Sequence, residues 1–113
     1  MSDCLFCKIV AGEIPADVVL DTERAIAFRD IDPKAPTHIL VIPREHYDNI
    51  TELTSSDPGL AAHLLEVVTQ VVQQETLMHG YRLVANIGPD GGQTVNHMHF
   101  HILGGRSLTW PPG

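Results

Sequence analysis

Three histidines occupy alternate positions in the stretch NHMHFHILGG, residues 96–105. Apolar residues alternate with them, and a period of two is typical of a β-strand with one face against a core. The pattern therefore predicts His97, His99 and His101 on one face of a strand. The opposite face would be formed by Met98, Phe100 and Ile102. Each buried imidazole requires a hydrogen-bond partner, so three in a row are a poor way to fill a core. Near neutral pH a histidine can act as a nucleophile when neutral or as a donor when protonated.

Two other interpretations of the histidine strand stay open at this point. The histidines could be incidental residues of a half-buried strand, or all three could hold one metal ion. Alternate side chains of a strand lie roughly 7 Å apart, so three of them splay and do not converge on one ion unless the strand bends. His63 and His79 lack any such pattern and are predicted to be surface residues.

Neutral hydrogen-bond donors cluster just before the histidines. The segment GPDGGQ, residues 88–93, is too long for a two-residue hairpin and contains three glycines, which suits backbone held close to a ligand. Backbone amides and the side chains of Asn86, Gln93 and Thr94 can donate to phosphate oxygens without any lysine. The net charge of -7 argues against broad contact with a nucleic-acid backbone. The sequence therefore predicts a small anion as the ligand and no polymeric nucleic acid.

The only two cysteines, Cys4 and Cys7, form a Cys-x-x-Cys pair near the start of the chain. They are too close together to cross-link a small secreted fold, and in a reducing compartment this spacing favours metal or redox chemistry. A structural zinc site requires two more ligands. A redox pair is less well supported, because no thioredoxin-like βαβ pattern surrounds the motif.

The elements that must position these residues follow from the apolar pattern. A short helix is predicted over residues 5–12, ended by Gly12. Strands are predicted over residues 18–20, 25–29, 38–42 and 81–87, with the histidine segment as the fifth, and the apolar run at 38–42 indicates burial on both faces. Asp57 and Pro58 predict the start of a long helix with an apolar stripe. Together these elements predict an α+β fold, in which a five-stranded antiparallel sheet has one long and one short helix on one face.

Length and composition bound the class of protein. A chain of 113 residues with 43% apolar content is predicted to form a single domain, residues 1–113, with an ordinary core. No apolar run approaches the roughly 20 residues of a membrane span, and no basic segment leads into an apolar signal region. The expectation is a cytoplasmic protein without a membrane partner.

Several stretches together resemble the histidine triad family. The triad itself continues as HMHFHIL (97–103), and the other matching stretches are LFCKIVAGEIPA (5–16), FRDIDPKAPTHILVIP (28–43), GYRLVANIGPDGGQTVNH (80–97) and LGGRSLTWPPG (103–113). The likeness covers nearly the whole chain and points to the nucleotide-binding, phosphoramidase branch. This chain differs from many relatives of that branch in two residues. Thr94 stands where serine is common, and Asn96 replaces an aromatic residue.

The resemblance implies a hydrolase that cleaves the P–N bond of purine nucleoside 5'-phosphoramidates of the adenosine or guanosine type, including lysyl or aminoacyl adenylates. His99 would be the nucleophile and form a nucleotidyl-histidine, in a catalytic group with His101, His38 and His97. Asp30 would hold the ribose hydroxyls. The purine slot would be formed by Leu5, Phe6, Ile9, Phe28 and Ile31. The phosphate would be bound by Asn86, Gly92, Gln93 and Thr94, with His99 and His101. No catalytic cofactor is implied.

A metal site and a partner subunit are implied as well. Some bacterial histidine triad proteins complete their Cys-x-x-Cys pair with two histidines, which correspond here to His46 and His97. Cys4, Cys7, His46 and His97 would then hold a structural Zn2+. The family's homodimer would join two sheets into one of ten strands, and the tail would carry Trp110 toward the nucleotide site of the partner.

Two further functions stay open beside the phosphoramidase. One is dinucleoside polyphosphate hydrolysis, the activity of the sister branch, against which the WPPG tail argues. The other is a non-enzymatic nucleotide-binding or scaffold module whose catalysis is incidental. Comparing an adenosine phosphoramidate with a diadenosine polyphosphate as substrates separates the two enzymes.

Overall fold

Five antiparallel strands form one sheet in the computed structural model, which describes residues 3–113. The strands are β1 (Val18–Asp21), β2 (Ala25–Arg29), β3 (Thr37–Pro43), β4 (Tyr81–Val84) and β5 (Phe100–Gly104). Their order across the sheet is β1-β2-β3-β5-β4. β3 lies at the centre and is buried from its second residue onward, as its apolar sequence predicts. The predicted α+β fold with a five-stranded antiparallel sheet is confirmed.

Helices cover both faces of the sheet. They are α1 (Leu5–Val10), α2 (Ile50–Ser56) and α3 (Pro58–Gln74). α3 packs its apolar stripe on one face, where the strands contribute Ala25, Ala27, Ile39, Val41, Phe100 and Ile102. α1 packs on the opposite face, where Phe6 contacts a second cluster formed by Ile26, Phe28, Leu40 and Ile42. The prediction of helices on one face is therefore wrong for α1.

The helix α2 is absent from the sequence prediction, which gives one long and one short helix. Its sequence, ITELTSS, is rich in β-branched and hydroxyl residues of low helix propensity. Tertiary contacts hold it instead, because Asn49 caps its first turn and Leu53 is fully buried in the α3 core. The predicted start of α3 is confirmed, with Asp57 as cap and Pro58 in the first turn. None of the helices within residues 3–113 combines the length and the apolar character needed to cross a membrane.

The histidine segment enters the sheet later than predicted. β5 begins at Phe100, so His97 and His99 precede the hydrogen-bonded ladder. β4 ends at Val84 and does not extend to Ile87. The alternation of faces nevertheless holds, because the α3-side core contains Met98, Phe100 and Ile102.

Sheet register brings distant histidines together. His101 of β5 lies opposite Leu40 of β3, and Leu103 lies opposite His38. His38 and His101 are therefore diagonal neighbours on the α1 side of the sheet, close enough for their rings to meet.

Candidate active site and metal site

A cavity of about 230 Å³ opens on the α1 side of the sheet. Nine of the predicted nucleotide-binding residues line it, and they are Leu5, Phe6, Ile9, Phe28, Asp30, Ile31, Thr94, His99 and His101. Most of this wall is apolar, with a few polar groups, which is the usual composition of a small-molecule site. The structure thus brings the predicted apolar slot and two of the triad histidines into one pocket.

His99 is held in one tautomer by the backbone. Its Nδ1–H donates to the carbonyl of His97 at 2.7 Å, which leaves Nε2 with the lone pair when the ring is neutral. Burial lowers the pKa of His99 below its ordinary value, since the side chain is 6% exposed. The edge of the Phe6 ring packs against it, with centroids 5.1 Å apart. The neutral ring therefore presents a nucleophilic nitrogen in a cavity-lining residue.

His38 and His101 form a second chain of fixed tautomers. The backbone N–H of Lys34 donates to His38 Nδ1 at 3.0 Å, so the proton of a neutral His38 is on Nε2. That Nε2–H donates to His101 Nδ1 at 2.9 Å, and His101 must carry its own proton on Nε2. Burial, and next the neighbouring His99 and His38, lower the pKa of His101 to about 4. Burial also lowers the pKa of His38. At neutral pH, His101 is thus a neutral hydrogen-bond donor beside the lone pair of His99.

Asp30 directly follows β2 and lines the cavity together with His99 and His101. Its Oδ2 is 3.5 Å from His38 Nε2, and its Oδ1 accepts the backbone N–H of Asp32 at 2.8 Å. The turn that follows projects Ile31, which is 99% exposed, at the cavity edge. A carboxylate in this position can accept two further hydrogen bonds from a ligand.

The glycine-rich segment 88–93 is held in shape by Asn86 and Gln93, two of the side chains predicted to bind phosphate. Asn86 Nδ2 donates to the carbonyl of Gly91 at 2.7 Å, and Gln93 Nε2 donates to the carbonyl of Asp48 at 2.6 Å. A Cβ at Gly91 would lie 2.3 Å from the carbonyl oxygen of Ile87, so only glycine fits there. Asn86, Gly92 and Gln93 do not line the cavity, whereas the neighbouring Thr94 does.

Trp110 lies outside this cavity and is 81% exposed. The tail beside it is tied to β4, because Arg82 Nη2 donates to the carbonyl of Thr109 at 2.6 Å. His79 is exposed, as predicted, and the half-buried His63 bonds Thr22.

Cys4, Cys7, His46 and His97 converge on one point. His97 Nδ1 is 3.4 Å from Cys4 Sγ and 3.5 Å from Cys7 Sγ, and His46 Nδ1 is 3.3 Å from Cys7 Sγ. The four candidate ligand atoms lie within 4.8 Å of one another. Sulfur and nitrogen ligands at tetrahedral positions around Zn2+ are about 3.5 Å apart, given zinc bonds of ~2.3 Å and ~2.05 Å.

Both histidines of this group use their other nitrogen as a donor. His97 Nε2 donates to the carbonyl of Pro43 at 2.9 Å, and His46 Nε2 donates to Asp48 Oδ1 at 3.1 Å. Each Nδ1 is then unprotonated and aimed at the cysteines, an arrangement typical of metal-ligating histidines. The donor set therefore fits a structural zinc ion. Such a site would fix α1 to the segment that contains His97.

The other group of potential ligands, Asp30, His38 and His101, fits a metal poorly. His38 Nδ1 already accepts a backbone N–H, so metal binding at Nε2 would require removal of the only ring proton. His97, His99 and His101 do not come together as a metal-binding group among residues 3–113. The triad therefore splays, as the spacing along a strand predicts.

A protein-family comparison gives the identity of this fold. The model of the HIT domain matches residues 11–108. This chain belongs to the HIT family. Among solved structures, it is similar to a HIT family hydrolase from Legionella pneumophila, with a TM-score of 0.94, 51% identity, and coverage of 98% of this chain and 100% of that one.

Two other similar proteins are described as binding a nucleotide and zinc, respectively. A histidine triad nucleotide-binding protein from Candida albicans superposes on this HIT domain with a TM-score of 0.84 and 30% identity, covering 96% of this chain and 83% of that one. A 14 kDa zinc-binding protein from Zea mays is 48% identical over 115 residues, covering 99% of this chain and 89% of that protein. A HIT hydrolase fold with nucleotide-binding relatives is thereby shown.

Six residues that line the cavity of this HIT domain were not predicted from the sequence. They are Ile14, Pro15, Ala16, Arg29, Leu40 and Val95. Leu40 could have been found, because it alternates with His38 on a strand buried on both faces. Residues 14–16 connect α1 to β1 and have no periodic pattern that would indicate a ligand.

The neutral histidines of the HIT cavity predict a stability profile. The pKa of His101 is about 6.5 in the unfolded chain and about 4 in the folded protein, so the unfolded chain binds more protons between these pH values. The free energy of unfolding should be highest above pH 6.5 and fall as the pH drops toward 4. His101→Gln removes this contribution and should make the fall shallower in urea unfolding at a series of pH values. His79→Gln, at an exposed histidine, is the control. An unchanged slope in His101→Gln would contradict the assignment.

Proposed function

We propose that this protein is a purine nucleoside phosphoramidase that acts through a nucleotidyl intermediate on His99. The observation that carries the proposal is the opposite tautomers of two neighbouring rings. His99 offers a lone pair at Nε2 and His101 offers a proton at Nε2, and both residues line the same cavity. A nucleophile and a donor side by side suit attack on a phosphorus atom that carries negatively charged oxygens.

The reaction balances with one water molecule. His99 Nε2 forms a bond to the α-phosphorus, and the P–N bond breaks with its electron pair going to the amine nitrogen. Water gives a proton to the amine, and the resulting hydroxide attacks the phosphorus and breaks the bond to Nε2. Neutral His99, a free amine and a nucleoside 5'-monophosphate remain. His101 donates from Nε2 to a phosphoryl oxygen throughout, with its orientation fixed by His38.

Recognition of the nucleotide follows from the walls of the cavity. The apolar slot that contains Phe6 and Phe28 suits the faces of a purine, and Asp30 can accept hydrogen bonds from the ribose hydroxyls. Thr94 lines the cavity and offers a neutral hydroxyl to the phosphate, and the segment before it, which Asn86 and Gln93 hold in shape, lies outside the cavity wall. This use of neutral groups agrees with the net charge of -7.

The predicted homodimer has support at one edge of the sheet. β4 is the last strand in the order, and Tyr81 and Leu83 on it are 44% and 37% exposed. Such an edge can pair with another strand. The tail with Trp110 is tied to this same strand, so it lies where a partner subunit would be reached. A ten-stranded dimer, a role for Trp110 in the partner's site and a cytoplasmic location stay predictions.

Replacing His99 tests the nucleophile. His99→Ala should lower the rate of adenosine phosphoramidate hydrolysis on the order of 10³-fold or more, because no other ring in the cavity offers the same lone pair. AMP binding, measured by calorimetry, should persist. His63→Ala, which lies outside the cavity, is the control. A nucleotide adduct trapped in the native protein should map to His99, and full activity of His99→Ala would remove it from this role.

Diadenosine polyphosphate is assayed in parallel, and faster hydrolysis of that substrate would favour the sister activity.

Replacing Asp30 tests ribose recognition. Asp30→Ala should weaken the binding of AMP roughly tenfold more than that of 2'-deoxy-AMP, since a hydrogen bond to a charged group contributes about 1.5 kcal/mol. Both dissociation constants are measured by calorimetry. Asp32→Ala, at an exposed acid two residues away, is the matched control. Equal losses for the two nucleotides would contradict contact with the 2'-hydroxyl.

Elemental analysis tests the zinc site. We expect about one zinc per chain in the purified protein, because two thiolates and two neutral imidazoles form a complete set of four ligands. Cys4→Ser and His46→Ala should each reduce the zinc content, whereas His79→Ala should retain it. A native sample free of metal would exclude the site.

A further inference from the structure

We propose that metal binding by Cys4, Cys7, His46 and His97 is thermodynamically linked to nucleotide binding in the cavity. Each ligand raises the affinity of the protein for the other. The inference rests on the proposed function only in requiring that a nucleotide occupies the cavity. It assigns positioning roles to His97 and Phe6.

His97 provides the first connection between the two sites. Its Nδ1 lies 3.4 Å and 3.5 Å from the two cysteine sulfurs, so a metal at this point fixes the ring. Its carbonyl accepts the Nδ1–H of His99 at 2.7 Å. The same residue therefore belongs to the metal site through its side chain and orients the cavity histidine through its backbone. Displacement of the His97 backbone would change the direction of the His99 ring.

Helix α1 provides the second connection. Cys4 caps its first turn and Cys7 lies within it, while Leu5, Phe6 and Ile9 on the same helix line the cavity. Metal ligands and cavity residues are thus interspersed over about one and a half turns of the same helix. A helix of six residues has little stability of its own, so its position depends on tertiary contacts.

Phe6 joins these two connections. Its ring makes edge contacts with His97 and His99, with centroids 5.8 Å and 5.1 Å apart. It is 4% exposed and packs in the cluster on the α1 side of the sheet. An ordered α1 therefore holds Phe6 against both histidines, and a displaced α1 loses one wall of the cavity.

The energetic consequence is reciprocal. Ordering α1 and His97 reduces the conformational entropy of the protein. If a bound metal has already ordered them, the nucleotide loses less free energy to this ordering when it binds. Linkage then requires the nucleotide to raise metal affinity by the same factor, and such factors are typically about 5–150. A metal site that served only global stability would also couple to binding, but through the whole fold and not through α1.

The test measures the factor in both directions on the full chain. Zn2+ affinity is determined by competition with a chelator, with and without saturating AMP, and direct association of Zn2+ with AMP is measured in parallel and subtracted. AMP affinity is determined by calorimetry for metal-loaded and metal-free protein. We expect each ligand to tighten the other about fivefold or more. A factor of one in either direction, or failure of the native protein to bind either ligand, overturns the proposal.

Hydrogen exchange separates the local route from global unfolding. In metal-free protein the amides of α1 should exchange faster, AMP should slow them again, and the amides of α3 should keep their protection. Loss of protection in α3 as well would overturn the local route.

Phe6→Ala should bring the linkage factor close to one while zinc content stays at about one per chain, and an unchanged factor would remove Phe6 from its positioning role. Normal phosphoramidate hydrolysis with a factor of one rejects the linkage alone, and intact linkage without hydrolysis rejects the catalytic proposal alone.

Discussion

A neutral imidazole has one donor nitrogen and one acceptor nitrogen, and the backbone of this protein decides which is which. The carbonyl of His97 fixes the proton of His99, the carbonyl of Pro43 fixes that of His97, and the amide of Lys34 fixes that of His38. His101 then follows from His38. Burial lowers the pKa of each of these rings, so the assignment holds at neutral pH. The same side chain thus offers a lone pair in the cavity at His99, a proton at His101 and a lone pair toward the cysteines at His97, according to its surroundings.

The backbone groups that make these assignments come from separate parts of the fold. Pro43 ends β3, Lys34 lies in the loop before it, and His97 precedes β5. They meet because β3 and β5 are antiparallel neighbours at the centre of the sheet. Four partly or fully buried histidines would ordinarily destabilise a small domain. Among residues 3–113, however, every buried side-chain nitrogen and oxygen has a hydrogen-bond partner. The sheet therefore provides the hydrogen bonds that allow this polar cluster to be buried.

Sequence reasoning could predict what depends on local pattern and could not predict what depends on contacts between distant segments. The strand period placed Met98, Phe100 and Ile102 in the core, and the Asp57–Pro58 pair marked the start of α3. By contrast, α2 consists of poor helix formers and exists because Leu53 reaches the core. The side of the sheet covered by α1 depends on where Phe6 packs, which no spacing within the helix indicates. In the site, residue types pointed to the histidines, but the tautomers depend on carbonyls and amides that every residue has and no sequence distinguishes.

Helix α1 differs from the strands in what holds it in place, because a helix of six residues has little stability of its own. The cavity is bordered by α1, by the end of β2 and by the segment before His97. The strands are held by the hydrogen-bonded ladder, whereas α1 rests on the sheet through side chains, with Phe6 inside the cluster and Ile9 and Val10 packed against it. Cys4 and Cys7 lie at this same wall, so a metal held by them together with His46 and His97 would give α1 a second attachment. Under the proposed function, the net charge of -7 places a further requirement on the site, because a phosphate bound by neutral donors needs those donors already in position.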